Sequence, residues 1–368
     1  MEFITQGFHH VTMVSGHARR TVAFYRDVLG LGLVKQTVNF DDPGAYHLYF
    51  GDEHGRPGTI LTFFDWGESP QGRPGIGGVH HLALGVESDE ALLRWKRRLT
   101  DAGAHTSGPY DRGYFTSLYF RDPDGQILEI ATAGPGYAID EPADALGREL
   151  LLPPQRIVRG HRDEAAIEAL TWPEPVPEIT PDMALHGIHH VSGITDDLAR
   201  AGEFYEAALG LRMVKKTTNR DDPDMLHYFW AAYDGQTIAP HSSWTLFGFK
   251  PGWNRARGGV GQAHHVAFRA KDDEQLAAWL DHLRAMDVEV SGVMERTYFR
   301  GIEFRAPDGQ LLQIATDGPG FSVDEPADRL GGALQLPAWL EPRREEIGAG
   351  LVPLGWPGTG SPESSLSG

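Results

Sequence analysis

The amino-acid sequence predicts an α+β fold of four βαβββ modules, arranged as two tandem halves whose strands pair into cup-shaped mixed sheets. Two observations predict this fold. A double histidine opens a short run of alternating apolar residues four times, in HHVTM (9–13), HHLAL (80–84), HHVSG (189–193) and HHVAF (264–268). Long segments also recur: residues 31–50 align with 211–230, and residues 114–147 align with 298–331. Self-similarity of this kind indicates a tandem duplication.

Each module starts at its double-histidine strand and continues with a helix. The segments 19–30 and 89–103 carry apolar residues at helical spacing. Three strand-like runs then follow, separated by turns such as DPDG (122–125) and APDG (306–309), whose residue types favour hairpins. The modules therefore span approximately 7–66, 79–134, 186–249 and 263–318.

The duplication also predicts where the chain divides. We expect a first half at 1–172, which contains two modules and a C-terminal extension, and a second half at 186–350. The proline-rich segment 173–185 is the natural linker between the halves. The tail at 351–368 is rich in Gly and Ser, which is typical of a disordered segment.

Composition excludes several classes of protein. The chain has 368 residues, enough for one large or two medium domains. Its formal net charge of −18 disfavours nucleic acid and anionic membranes as partners. The absence of cysteine excludes disulfides, thiolate zinc sites and cysteine nucleophiles. No apolar run is long enough to span a membrane and the N-terminus does not read as a signal peptide, so we expect a cytoplasmic protein.

The alternation of side chains along a strand predicts which residues face away from the helices. In HHVTM, Val11 and Met13 share the face that packs on the helix, and His10 points to the opposite face. The same alternation places His81 and Glu129 on the face away from the helix in the second module. An unpaired carboxylate in an apolar strand costs several kcal/mol or more to bury. A cationic group must therefore face Glu129.

Two histidines and one carboxylate on such faces form a set that binds a divalent metal and leaves coordination positions open. Imidazole and carboxylate suit Fe(II) or Mn(II), whereas structural zinc is disfavoured because no thiolate is available. Plainer interpretations stay open at this point. A strand histidine is usually a satisfied core or surface residue, and Glu129 is also suited to an ion pair with Arg112.

These modules, with a histidine in the opening strand and a glutamate in the last strand, resemble the vicinal oxygen chelate superfamily. That superfamily includes glyoxalase I, bleomycin-resistance proteins and extradiol dioxygenases. The segments 34–64 and 114–137 resemble more specifically its hydroquinone ring-cleaving dioxygenase branch. The resemblance covers residues 7 to about 350. It implies Fe(II) or Mn(II) held by two histidines and one glutamate, and a small aromatic substrate that reacts with O₂.

Two modules must meet to complete such a site, because no single module offers both histidines and the glutamate. Pairing within one half would give His10, His81 and Glu129. The crossed pairing of the branch, first module with fourth and second with third, would give His81, Glu129 and His190, and the resemblance favours it. A degenerate second site would then contain His10, His265 and Gln313, with Glu303 as an alternative carboxylate.

The resemblance also implies roles for neighbouring residues. Arg112 and Tyr119 match an arginine and a tyrosine near the metal, and His80 and His189 match histidines that adjoin the ligands and move protons. The implied activity is metal-dependent, extradiol-type ring cleavage of a hydroquinone or catechol-like aromatic. The alternatives are a glyoxalase-like metal-dependent isomerase or lyase, and a non-enzymatic binding or resistance protein. The oligomeric state stays open, with a homodimer as one alternative because sheet edges favour association.

Overall fold

The computed structural model describes residues 4–354, in which all four modules have the predicted order of elements. The elements of the first half are β1 (Phe8–Ser15), α1 (Ala18–Val22), β2 (Gly32–Val38), β3 (Tyr46–Gly51), β4 (Ile60–Asp65), β5 (Val79–Val86), α2 (Asp89–Asp101), β6 (Ser107–Asp111), β7 (Thr116–Arg121), β8 (Ile127–Thr132) and α3 (Glu164–Ala169). Those of the second half are β9 (Ile188–Thr195), α4 (Leu198–Leu209), β10 (Arg212–Thr218), β11 (Leu226–Ala231), β12 (Ser243–Gly248), β13 (Ala263–Ala270), α5 (Asp273–Ala285), β14 (Met294–Glu295), β15 (Phe299–Arg305), β16 (Leu311–Pro319) and α6 (Arg344–Gly350).

Local chemistry explains where the module helices begin. Ser88 accepts a hydrogen bond from the backbone N–H of Ala91 at 3.2 Å, and Asp197 and Asp272 cap α4 and α5 in the same way. The first helix departs from the prediction of one helix over 19–30. After α1 the turns widen over Ala23–Val28, where the N–H of Leu29 bonds to the carbonyl of Phe24 at 3.0 Å.

The sixteen strands form two eight-stranded mixed sheets among the described residues. One sheet has the order β14-β15-β16-β13-β1-β4-β3-β2, and the other has the order β10-β11-β12-β9-β5-β8-β7-β6. Antiparallel pairs join β1 to β13 and β5 to β9. The first module therefore shares a sheet with the fourth, and the second shares one with the third. We call the sheet of the first and fourth modules the outer sheet, and the sheet of the second and third modules the inner sheet.

The helices cover one face of each sheet, and the histidines lie on the other. Val11, Met13, Leu82 and Leu84 are at most 1% exposed and belong to the main hydrophobic core, together with residues of α2 such as Trp95. This arrangement confirms the predicted α+β fold and the predicted facing of the opening strands.

The C-terminal extension of each half closes the curved sheet that contains its last module. On the inner sheet, Lys215 of β10 donates to Glu141 at 2.8 Å and to Asp140, both of which follow β8 at the other end of the same sheet. Lys35 of β2 makes the same contacts with Asp324 and Glu325 after β16. These ion pairs, in which both lysines are buried, fasten the two modules of each sheet together.

The two segments predicted to be irregular are packed where they are described. In the linker 173–185, the carbonyl of Met183 accepts a hydrogen bond from Trp95 at 2.8 Å. At the start of the predicted tail, Leu351 is buried and Arg19 donates to the carbonyl of Pro353. The rest of that tail lies outside the described residues. Within residues 4–354, no helix is long and apolar enough to cross a membrane.

Candidate active site

Three buried side chains meet on the concave face of the inner sheet. Nε2 of His81, on β5, lies 3.1 Å from Nε2 of His190 on β9. Oε2 of Glu129, on β8, lies 2.9 Å from the first nitrogen and 3.3 Å from the second. All three are at most 2% exposed. Within residues 4–354, no other group of three or more His, Asp or Glu side chains is close enough together to hold a metal ion.

The carboxylate of Glu129 lacks the hydrogen bonds that normally accompany burial. Although both imidazoles are close, neither oxygen of Glu129 accepts a hydrogen bond of acceptable geometry in the described part of the chain. A fully buried carboxylate left in that state carries a large desolvation cost. Two imidazole nitrogens and a carboxylate oxygen directed at one point are instead the donor set of a divalent cation.

The environment sets the charges of His81 and Glu129 in a way that suits metal binding. Burial lowers the pKa of His81, against the opposing effect of the Glu129 charge, so its imidazole is neutral near pH 7. Burial alone would raise the pKa of Glu129, but the imidazoles of His190 and His81 hold it well below its ordinary value. A neutral imidazole and an ionised carboxylate are the forms that bind a metal.

The first histidine of each pair orients the second. Nδ1 of His80 lies 2.8 Å from Nδ1 of His81, and Nδ1 of His189 lies 2.8 Å from Nδ1 of His190. Each of these Nδ1–Nδ1 hydrogen bonds needs a proton on one of the two nitrogens. When that proton is assigned to His81 and His190, the Nε2 atoms keep free lone pairs that point towards Glu129.

A chain of hydroxyl groups supports the site from the neighbouring strand. The Ser192 hydroxyl lies 2.9 Å from Nε2 of His81 and 2.6 Å from the Thr245 hydroxyl. Nε2 of His227 lies 2.9 Å from that same threonine oxygen, and its ring stacks on Phe247. These contacts hold the histidine face of the sheet in one arrangement.

A cavity of about 790 Å³ opens directly over the two histidines. Its walls combine aromatic rings with cations, which are Tyr110, Tyr114, Phe115, Tyr119, Phe247, Arg112, Arg159, Arg162 and Arg220. His80 also lines this cavity, whereas His189 packs behind the site against Phe115. Of these two histidines, only His80 is among the residues that line the substrate-sized space.

Tyr119 and Arg112 both lie beside the cluster, as the sequence predicts. Tyr119 faces Glu129 across the β7–β8 pair, and its ring meets that of His81 edge-on at 5.6 Å. Arg112 lies over the Tyr119 ring at 5.1 Å, but its ion pair is with Asp221 at 3.0 Å. The predicted alternative of an Arg112–Glu129 ion pair is therefore wrong, because Asp221 binds that guanidinium and the imidazoles face the glutamate.

The outer sheet contains an equivalent pair of histidines, but an amide stands where the inner sheet has the carboxylate of Glu129. Nε2 atoms of His10 and His265 lie 3.2 Å apart, and Gln313 takes the place of Glu129. Gln313 donates at 3.1 Å to Glu303, which occupies the position of Tyr119. Since Glu303 joins no metal-binding set with His10 and His265 within residues 4–354, the hypothesis that it replaces the missing carboxylate is wrong.

The alternative of His10 as the third ligand to His81 and Glu129 is also wrong. His10 lies on β1 in the outer sheet, where its ring contacts His265 and Phe299. The antiparallel pairing of β5 with β9 brings His190 to that position instead.

Sequence reasoning missed the cationic wall of the cavity. Arg220 and Asp221 follow β10, and Arg162 comes from the C-terminal extension that crosses the mouth of the cavity. One signal was available for Arg220, because the duplicated position is Phe40. No comparable signal marks Arg162, since loops outside the modules have no sequence period that reveals their partners.

Comparisons with known proteins define the family. The model of the "Glyoxalase/Bleomycin resistance protein/Dioxygenase superfamily" matches residues 7–130 and 187–314. The chain belongs to this superfamily.

Its full-length relatives carry a more specific name. The chain is 36% identical over 352 residues to "Putative ring-cleaving dioxygenase MhqO" of Bacillus subtilis, which covers 95% of this chain and 96% of the relative. It is 26% identical to "Chlorohydroquinone/hydroquinone 1,2-dioxygenase" of Sphingobium indicum, which covers 93% of this chain and 94% of the relative.

Solved structures agree with the family. A crystal structure of a "putative dioxygenase" from Bacillus subtilis has a TM-score of 0.76 and 34% identity, and it covers 96% of this chain and 98% of that one. Glyoxalase I from Zea mays has a TM-score of 0.54 at 16% identity, covering 84% of this chain and 92% of that one, and shares the fold alone.

Proposed function

We propose that this protein is a metal-dependent ring-cleaving dioxygenase that acts on a hydroquinone or catechol-like aromatic with O₂. The extradiol type and the use of Fe(II), with Mn(II) as the alternative, are parts of this proposal. The observation that carries it is the convergence of His81, Glu129 and His190, of which the two histidines line an aromatic-walled cavity. The names of the full-length relatives support the same reaction.

The residues present fit a divalent metal. Glu129 is 0% exposed, neither of its oxygens accepts a proper hydrogen bond, and the two nearest groups are imidazole nitrogens. Three protein ligands from two histidines and one carboxylate match the facial set of non-haem iron oxygenases. When bound, such a metal supplies open positions for a substrate oxygen and O₂ and lowers the pKa of the substrate phenol.

The surrounding side chains hold and move protons. Burial lowers the pKa of His80 to about 3, so its imidazole is neutral at pH 7. With Nδ1 accepting from Nδ1–H of His81, the proton of His80 is on Nε2, from which it donates a hydrogen bond to a substrate oxygen in the cavity. Burial raises the pKa of Tyr119, so its hydroxyl stays protonated and donates a hydrogen bond to a substrate oxygen. Ring cleavage benefits from both donors, since negative charge builds up on substrate oxygen atoms during the reaction.

The aromatic walls position the ring and exclude water. Phe115 packs against His190 at 5.4 Å between ring centroids, and Phe247 packs against His80 at 5.0 Å. A flat substrate held between such rings keeps its reacting carbon close to the histidine face, which lowers the entropic part of the barrier.

Oxygen uptake by anaerobically iron-loaded protein tests the proposal. We expect uptake with substituted hydroquinones or catechols, retained in Gln313→Ala and lost in Glu129→Ala. Mass spectrometry of the product should show both atoms of ¹⁸O₂. Iron-loaded protein that consumes no O₂ with any aromatic diol would reject the dioxygenase. Isomerisation of a glutathione hemithioacetal, or ligand binding without turnover, would then favour the two alternative functions.

A further inference from the structure

A buried arginine in the cavity wall has no carboxylate partner within residues 4–354. Arg220 is 4% exposed and lines the cavity over the histidines. In the described part of the chain, its guanidinium donates only to neutral oxygens, which are the Thr217 hydroxyl at 3.2 Å and the carbonyls of Thr218 and Arg112 at 2.8 Å each. Its Nε atom is buried and has no hydrogen-bond partner among the described residues.

The nearby carboxylates are already engaged by other cations. Asp221 binds Arg112 at 3.0 Å and Arg162 at 2.7 Å. Burial lowers the pKa of Arg220 and the charge of Asp140 opposes that effect without direct contact, but Asp140 itself is bound by Lys215. Burying a cation without a counter-ion costs several kcal/mol. The surroundings of Arg220 therefore favour an anion that residues 4–354 do not supply.

The duplication provides an internal comparison. The position that corresponds to Arg220 in the outer sheet is Phe40, although the adjoining Asn39 and Asp41 match Asn219 and Asp221. The arginine is thus present beside the complete His-Glu-His cluster and is replaced by an apolar residue where the carboxylate is missing. A purely structural role in this turn does not require the cation, since the same turn folds with Phe40.

The cavity has both the charge and the space for an acidic ligand. Four arginines line it, against the two carboxylates of Glu164 and Asp221, in a chain whose net charge is −18. Its volume of about 790 Å³ is several times that of a single dihydroxybenzene ring, which leaves room for substituents.

We propose that Arg220 binds a carboxylate carried by the aromatic ring of the substrate, which makes the substrate class an acid-substituted hydroquinone or catechol. This inference rests on the proposed function. The planar guanidinium matches a carboxylate better than it matches a single phenolate oxygen, because its N–H groups pair with two acceptor oxygens side by side. Arg220 is thus a specificity-determining residue for the ring-cleaving reaction.

Binding of benzoate and benzamide to metal-free protein tests the inference. These probes differ in charge, cannot be cleaved as diols, and meet no metal that would attract a carboxylate. By titration calorimetry we expect benzoate to bind at least about tenfold more tightly than benzamide, as for a charge-assisted hydrogen bond. The ratio should fall to about one in Arg220→Gln and to an intermediate value in Arg220→Lys, which keeps the charge but loses the side-by-side pair of N–H donors. Arg296→Gln, at the outer-sheet counterpart of Arg112, should keep the full ratio.

The outcomes separate this inference from the proposed function. Benzoate binding no more tightly than benzamide to the wild-type protein would overturn it, even if Arg220→Gln failed to fold. A higher kcat/KM with 2,5-dihydroxybenzoate than with methylhydroquinone would support the inference, provided that this preference disappears in Arg220→Gln. Equal loss for both substrates in that variant would overturn it and indicate a phenolate or a structural role. If the protein prefers benzoate but consumes no O₂, the anion-binding site is supported and only the proposed dioxygenase activity is rejected.

Discussion

The Nε2 atoms of His81 and His190 lie 3.1 Å apart, although the two residues belong to different halves of the chain. The antiparallel register of β5 and β9 produces this contact by pairing His81 with Ser192 and Ala83 with His190. Glu129 reaches the same point from β8, which runs parallel to β5. One strand pair between the halves therefore completes the site.

Glu129→Gln should abolish tight metal binding. The amide keeps the size of the side chain but removes the charge that the metal neutralises, and Gln is a weaker ligand. Divalent metal should raise the Tm of the wild-type protein, since it binds the folded state alone, and should leave that of Glu129→Gln unchanged. Gln313→Ala, at the matching position of the outer sheet, should keep the metal-dependent rise. An equal rise in all three proteins would place the metal elsewhere.

His80→Gln and His189→Gln should each weaken metal binding by about 10–100-fold, because groups that orient a ligand histidine have effects of this size. Their Nδ1 atoms lie 2.8 Å from those of His81 and His190. Competition with a chromophoric chelator measures the affinity independently of turnover. His264→Gln makes the same change beside His265 in the outer sheet and should have no effect. A similar loss in His264→Gln would argue against the orienting role.

A second metal site should appear in the double variant Gln313→Glu with Glu303→Tyr. The two substitutions give the outer sheet the carboxylate and the tyrosine that accompany the inner histidines. Elemental analysis should find two metal ions per chain instead of one. Gln313→Glu alone should bind the second ion less tightly, because Glu303 lies 3.1 Å from the Gln313 amide and would repel the new carboxylate. One ion per chain in the double variant would contradict the equivalence of the two sheets.

Lys215→Met should destabilise the fold by about 3–5 kcal/mol, since it leaves the buried Glu141 carboxylate without its cation. Lys215 is 1% exposed and pairs with Glu141, which is 7% exposed. Lys35→Met should cost a similar amount in the outer sheet. Urea denaturation measures both changes, and Lys216→Met on the same strand should stay within about 0.5 kcal/mol. A Lys215→Met protein as stable as Lys216→Met would show that the closure of the sheet does not depend on this ion pair.

Asp122→Asn should remove a pH dependence of stability. Burial, and then the charge of Asp124, raise the pKa of Asp122 to about 6 in the folded protein. A raised carboxyl pKa favours the protonated folded state, so this group destabilises the fold as pH rises from about 4 to about 6. The amide avoids that cost, and the variant should gain on the order of 2–3 kcal/mol over wild type at pH 7.5. The gain should vanish near pH 4.

Urea denaturation across pH 4–8 measures the difference between Asp122→Asn and the wild-type protein. Asp101→Asn, at an exposed position of α2, should follow the wild-type curve. A gain for Asp122→Asn that does not change with pH would show that the titration of this carboxyl is not its cause.

The residue pattern alone was enough to predict the four modules, their order of elements and the facing of the strand histidines. Helical spacing and strand alternation are local properties, and the duplication displays each of them more than once. The need for a positive partner at Glu129 also followed from local pattern, because a carboxylate in an apolar strand cannot be buried alone.

Which modules share a sheet could not be derived from the residue pattern and is seen in the strand pairing of the structure. The choice between His10 and His190 depends on the pairing of β5 with β9, and both histidines have nearly the same flanking residues. The ion pair of Arg112 with Asp221, the hydroxyl chain from Ser192 to His227 and the arginine wall of the cavity likewise join segments far apart in the chain. Such contacts follow from how whole sheets curve and pair, which no local pattern of residues encodes.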